Sequence, residues 1–241
     1  MTLHLPLRAL IVTHGQPSDP APAEAELATL AAAVASHLPG WIVTSATLAD
    51  PIALSVAAAG QSGFVYPMFM ADGWFTKVHL PERLVAAGAA SWQILAPFGL
   101  DPAVQALTVQ IAMEAFEKHK LSGSEVLLAA HGSFRSPAPS KVAYAMVRTL
   151  LSAGLSHVEA GFIDQSPKIV DVAKNFGSNA VCLPFFAAKG GHVVDDLPLA
   201  LAQAKFAGRL LLPVGLDSRV PSLIAMALQA AHVHSPAAMI G

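Results

Sequence analysis

Short apolar runs, none alternating strictly with polar residues, occur near positions 7–13, 41–48, 63–70 and 92–97, and again near 125–130, 158–163, 180–186 and 210–214. Runs of roughly 4–8 residues without a two-residue period are the pattern of strands covered on both faces. Between them, positions 23–37, 102–118, 141–152 and 221–231 carry apolar residues at helical spacing. Strands alternating with helices predict right-handed crossovers and a mainly parallel sheet. Asp50-Pro51, Asp101-Pro102 and Ser166-Pro167 each place a capping oxygen before a proline that suits a first helical turn, and Asp196-Leu197-Pro198 is a looser form of that signal. The stretch 120–125, with Ser122-Gly123-Ser124, reads as a link.

The pattern repeats. Leu10-Ile11-Val12-Thr13-His14-Gly15 answers to Leu127-Leu128-Ala129-Ala130-His131-Gly132, a shift of 131 − 14 = 117. At the same shift Pro67-Met68-Phe69 meets Pro184-Phe185-Phe186, Gly73 meets Gly190, and Leu80-Pro81 meets Leu197-Pro198. One residue out of step, Pro97-Phe98-Gly99-Leu100-Asp101 matches Pro213-Val214-Gly215-Leu216-Asp217. Ordered matches along a whole half indicate duplication. The expected fold is α/β: two tandem halves, 1–120 and 121–241, each with a mainly parallel four-stranded sheet flanked by helices.

Composition narrows the possibilities. Fourteen basic against sixteen acidic residues predict no bulk attraction to nucleic acid or to an anionic membrane. Charged residues are 12% of the chain, about half the usual share, which points to buried strands, Ala-rich helices and an apolar subunit surface. The longest uncharged stretch, 27–49, is broken by Pro39-Gly40 and carries several polar residues, so it does not read as a membrane span. The first residues run straight into a strand-like segment rather than an apolar leader with a cleavage site. A single cysteine, Cys182, lies in an apolar run and reads as a buried, inert thiol. The expected location is cytoplasmic.

Ligands of open parallel sheets bind beyond the carboxyl ends of the strands. In the second half those ends bring His131, Asp164 and, in the following loop, His192. Two imidazoles and a carboxylate in one crevice can bind a divalent metal or accept and pass protons. Each also has a plainer reading: His131 as part of a turn, Asp164 as a helix cap, His192 as a loop residue after Lys189-Gly190-Gly191. The first half keeps His14, but the shift of 117 puts Thr47 opposite Asp164, Phe75 opposite His192 and His79 opposite Asp196. The halves are therefore expected to be chemically unequal. His232-Val233-His234 do not share a helix face as a pair and read as part of a free tail.

His-Gly after the first strand, the acid of Phe162-Ile163-Asp164, Leu183-Pro184-Phe185-Phe186 leading to Gly190-Gly191-His192, and then Asp195-Asp196-Leu197-Pro198 together resemble the class II tetrapyrrole chelatases. The likeness is to sirohydrochlorin cobaltochelatases and ferrochelatases in their long, duplicated form. It implies insertion of Co²⁺ or Fe²⁺ into a modified tetrapyrrole, with no cofactor beyond the substrate metal. By position, His131 and His192 would ligate the metal and take up pyrrole protons, with Asp164 assisting. Ser133, Arg135 and Lys189 would meet the carboxylates of the macrocycle. Many long forms keep the histidine pair in the N-terminal half, whereas here it stands in the C-terminal half. The expected partners are the tetrapyrrole and the metal, in a monomer or homodimer. The alternative is a non-catalytic metal- or tetrapyrrole-binding protein. An unrelated α/β hydrolase or nucleotide-binding fold is disfavoured, because no Gly-x-Ser-x-Gly elbow, Walker loop or dinucleotide glycine pattern is present.

Overall fold

Alternation of strands and helices is realised twice. The computed structural model describes residues 6–16 and 18–234. The first unit contains β1 (Leu7–Thr13), α1 (Pro20–Ser36), β2 (Trp41–Thr47), α2 (Pro51–Ala58), β3 (Phe64–Pro67), α3 (Leu80–Ala86) and β4 (Gln93–Ile94). The second contains α4 (Pro102–His119), β5 (Glu125–Ala130), α5 (Ala138–Ser152), β6 (His157–Phe162), α6 (Ile169–Val172), β7 (Val181–Pro184), α7 (Leu197–Gln203) and β8 (Arg209–Leu210). A last helix, α8 (Val220–Val233), returns to the first unit. The sheets are four-stranded, in the orders β2-β1-β3-β4 and β6-β5-β7-β8, with every pairing parallel.

Burial explains why the strands lack a two-residue period. Ala9, Leu10, Ile11 and Val12 are all fully buried, and successive side chains point to opposite faces of the sheet. Leu10, Val12 and Val65 pack with Leu54, Leu80, Leu84 and Trp92 on one face, whereas α1 and α8 lie against the strands of this sheet. The second unit repeats the arrangement: Leu127, Ala129 and Cys182 pack with Ile169, Val172, Leu197 and Leu201. Each such Leu or Ile contributes about 1.5–3 kcal/mol by leaving water. Asp50 accepts from the backbone N–H groups of Ile52 and Ala53, and Asp101 from that of Ala103, so these two sequence caps form. No described helix is long and apolar enough to cross a membrane.

Other local expectations are corrected. Ser166 caps nothing: the Ser166–Pro167 bond is cis and α6 begins only at Ile169, without a side-chain cap. Asp196 does not cap α7 either, because its carboxylate is engaged by His192. His232 is not in a free tail. It lies in α8, edge-on to the Trp41 ring at 5.9 Å and near Phe64.

The repeat divides the chain at 120/121, but the compact units divide at Phe98 and again at Asp217. The two matching segments, 97–101 and 213–217, are where the chain leaves one unit for the other. As a result α4 packs on β7 and α5, and α8 on β3 and α1. Helical periodicity marks a buried face without saying which sheet buries it.

Cys182 sits wholly buried in β7, and burial pushes its thiol well above the ordinary range. The native protein is expected to resist a thiol reagent and to react fully in denaturant. Stoichiometric labelling of the folded chain would contradict this placement.

Candidate active site

The second sheet's carboxyl edge gathers the candidate residues. β5 ends at Ala130, so His131 is the first residue beyond it. Strand pairing continues past the end: the Ile163 N–H donates to the Ala130 carbonyl at 3.1 Å and the Asp164 N–H to the His131 carbonyl at 2.9 Å. This pins Asp164 beside His131, with Asp164 Oδ2 3.5 Å from His131 Nδ1. His192 arrives from a different element, a five-residue π-helical turn, His192–Asp196, in which the Leu197 N–H donates to the His192 carbonyl five residues back. Such turns are rare and recur at functional sites. The two imidazoles meet edge to face, with ring centroids 4.5 Å apart and planes at 89°.

Both rings are held through Nδ1. That of His131 donates to the Gly132 carbonyl at 2.9 Å, which can only accept. That of His192 donates to Asp196 Oδ2 at 2.6 Å. Nδ1–H is therefore the tautomer in each neutral ring, and Nε2 keeps its lone pair for a proton or a metal. A carboxylate behind a histidine is the usual way to orient a metal-binding imidazole and raise its basicity. All four side chains are partly open to solvent, His131 at 43%, Asp164 at 39%, His192 at 44% and Asp196 at 50%. Among the described residues no three His, Cys, Asp or Glu side chains gather as a metal-holding group. The acids stand behind the rings.

Two hollows lie near these residues, one of them lined by His192. One, of about 320 Å³, is lined by Asp164, Lys168, His192 and Asp196 together with apolar residues of β6, α6 and α7. The other, of about 380 Å³, is lined by Ser133, Phe134, Arg135 and Gln165 among others. Ser133 Oγ accepts from the backbone N–H groups of Arg135 and Ser136, which shapes the turn and leaves its hydroxyl proton to donate. Arg135 is exposed at this hollow, whereas Lys189 is exposed in the loop before the π-helical turn and lines neither. Asp196 joins the candidate site through its contact with His192, although its place before Leu197-Pro198 reads in the sequence as a helix start. Its spacing of four from His192 on a helical turn was the available signal.

The first unit shows the same scaffold with different chemistry. His14 Nδ1 donates to the Gly15 carbonyl, as His131 does to Gly132. A π-helical turn, Phe75–His79, stands 192 − 75 = 117 residues before its counterpart. Phe75 meets His14 edge to face at 4.5 Å and 86°, in the place of His192. His79, in the place of Asp196, stacks on Trp74 at 4.7 Å. The expected match of Thr47 with Asp164 is corrected. Thr13 pairs with Thr47 but Ala130 with Phe162, so Thr47 answers to Phe162. The Ala49 N–H donates to the His14 carbonyl, which puts Ala49 where Asp164 stands. The crossover from β1 to β2 spans 41 − 7 = 34 residues against 157 − 125 = 32 in the second unit, which changes the shift across β2. Either way the carboxylate is missing.

Gly132 makes the turn beside His131 at φ +72°, and a Cβ there would lie 2.6 Å from Gln165 Cγ and 3.0 Å from Phe162 Cβ. Gly132→Ala is expected to destabilise the chain by about 1–3 kcal/mol, read as a lower urea midpoint. A midpoint equal to that of the wild type would show that the turn is not constrained as described.

An imidazole pair backed by carboxylates on one unit of a duplicated parallel α/β fold, with Phe75 and Ala49 in the places of His192 and Asp164 on the other, is the arrangement that the resemblance to class II tetrapyrrole chelatases implies. Comparisons with known proteins agree. A family model described as CbiX matches residues 125–231. The solved structure of CbiX described as the terminal enzyme for biosynthesis of siroheme in denitrifying bacteria is 46% identical, with a TM-score of 0.87 over 93% of this chain and 99% of that one. The chain belongs to the CbiX family. SirB from Bacillus subtilis with Fe³⁺ is 15% identical, with a TM-score of 0.71 over 93% of this chain and 95% of that one, a likeness of fold. So is that of the sirohydrochlorin chelatase SirB from Bacillus subtilis subspecies spizizenii in complex with cobalt: 15% identity and a TM-score of 0.69 over 97% and 98%. Comparison with curated proteins gives no match.

Proposed function

We propose that this chain is a chelatase that inserts a divalent metal, Co²⁺ or Fe²⁺, into sirohydrochlorin or a closely related tetrapyrrole. The observation that carries the reading is the contact of His131 with His192, each ring held through Nδ1 and open at Nε2. Insertion exchanges one dication for two pyrrole N–H protons. A neutral imidazole suits both sides of that exchange, since its lone pair can ligate the metal or accept a proton. Asp164 and Asp196 stabilise an imidazolium once a proton has moved to Nε2. Two imidazoles without a third fixed ligand offer a foothold from which the metal can pass to the macrocycle, unlike the closed four-ligand shell of a structural site.

In this reading His131 and His192 receive metal and protons, Asp164 and Asp196 orient and charge-balance the rings, and the macrocycle's carboxylates meet Ser133, Arg135 and Lys189. No cofactor beyond the substrate metal is called for, and the enzyme works in the cytoplasm as a monomer or homodimer. The test is an anaerobic absorbance assay with sirohydrochlorin and Co²⁺, Fe²⁺ or Ni²⁺ in turn. Catalysed spectral change with Co²⁺ or Fe²⁺ is expected. Binding of metal or macrocycle with no acceleration by any ion would make the chain a carrier and contradict the proposal.

A further inference from the structure

Phe134 is exposed over 78% of its surface, in the turn that follows His131. A large ring held in water beside a reactive pair is a candidate contact surface. It is not loose, because the Lys168 ammonium lies over it, 5.1 Å from the ring centroid. Lys168 is itself anchored, donating to the Ile163 carbonyl one residue before Asp164. The bridge between Phe162 and Lys168 fixes its backbone against the end of β6. These contacts bring together two residues 34 positions apart, 168 − 134, which no spacing in the sequence suggests.

Their placement relative to the two hollows is informative. Phe134 lines one, together with Arg135, and Lys168 lines the other, together with Asp164, His192 and Asp196. The hollows therefore adjoin at the Phe134–Lys168 contact. Arg135 is the cation of the first hollow, and among the described residues Lys168 is the one Lys or Arg lining the second, whose lining also includes the acids Asp164 and Asp196. A carboxylate entering the second hollow is repelled by Asp164 and Asp196 and accepted by Lys168. That asymmetry orients a ligand as well as holding it.

We infer that Phe134 and Lys168 form the grip for a planar polycarboxylate: the ring packs against the flat macrocycle, and the ammonium takes a peripheral carboxylate beside the histidine pair. The inference rests on the chelatase reading and names two substrate-binding residues that family resemblance did not supply. Burying a Phe ring and forming a charge-assisted hydrogen bond each stabilise a complex appreciably. Phe134→Ala is expected to weaken binding by about 10–100-fold. Lys168→Met, which keeps the apolar stem, is expected to weaken it about tenfold. The lysine variant should also bind with a flatter dependence on ionic strength.

The experiment measures the dissociation constant of metal-free sirohydrochlorin at several salt concentrations, for wild type, Phe134→Ala and Lys168→Met. Insertion rates are then measured at saturating macrocycle. Both side chains are at the surface of a turn or hollow rim, so folding is checked by thermal unfolding alone. Weakened binding with near-normal insertion at saturation supports the grip. Wild-type insertion with both variants binding within twofold of wild type overturns the grip and leaves the chelatase function standing. Binding that depends on Phe134 and Lys168 in a wild-type chain that inserts no metal supports the grip and overturns the function. Failure of the wild type to bind the macrocycle overturns both.

Discussion

Replacing His192 by alanine is expected to lower the rate of metal insertion by about 10²–10⁴-fold, the usual cost of losing a positioned proton acceptor. Loss of the nitrogen proposed to ligate the metal is expected to add to that cost. The change should appear in kcat more than in KM, because the proposed function puts the ring at the reacting centre and the macrocycle's periphery on other residues. Folding should be little affected: the His192 side chain is 44% exposed and its ring is held by Asp196. Measured at saturating sirohydrochlorin with Co²⁺, a variant within a few-fold of wild type would remove His192 from the chemistry.

Asp196→Ala is expected to cost about 10–100-fold, the range for losing the carboxylate behind a metal-binding histidine. Without it the His192 ring can turn, and either nitrogen can carry the proton. The imidazolium formed after proton uptake also loses its partner. Asp196→Asn keeps an acceptor oxygen at the same place and should restore part of the rate by restoring orientation without charge. An asparagine variant no better than alanine would assign the whole effect to charge. An alanine variant as active as wild type would mean that the 2.6 Å contact has no part in catalysis.

Much of this architecture was legible in the chain because the physical signals were local. Leu10-Ile11-Val12 and Leu127-Leu128-Ala129 are buried on both faces, so unbroken apolar runs located β1 and β5. The placement of His131 and Asp164 past the ends of β5 and β6 follows from a general property of parallel sheets, whose carboxyl ends form the ligand-binding edge. What escaped was non-local. The destination of α4 and α8 depends on which sheet offers a matching apolar face, and both helices carry similar faces. The alignment of Thr47 with Asp164 assumed one constant shift, whereas the first crossover is two residues longer, 34 − 32, and moves Ala49 into that place. Asp196 reads as a helix cap because it precedes Leu197-Pro198, and that local signal masks its spacing of four from His192.

The two halves share a scaffold but differ in the residues at its carboxyl edge. His14 has the same position as His131 and the same hydrogen bond to the next carbonyl, yet Phe75 and Ala49 stand where His192 and Asp164 should be. The direct measurement is therefore the insertion rate of His14→Ala against that of His131→Ala, with thermal unfolding as the folding control for both. The expected result is a loss of about 10²–10⁴-fold for His131→Ala and near-wild-type turnover for His14→Ala. Comparable losses in two folded variants would contradict the assignment of catalysis to the second unit.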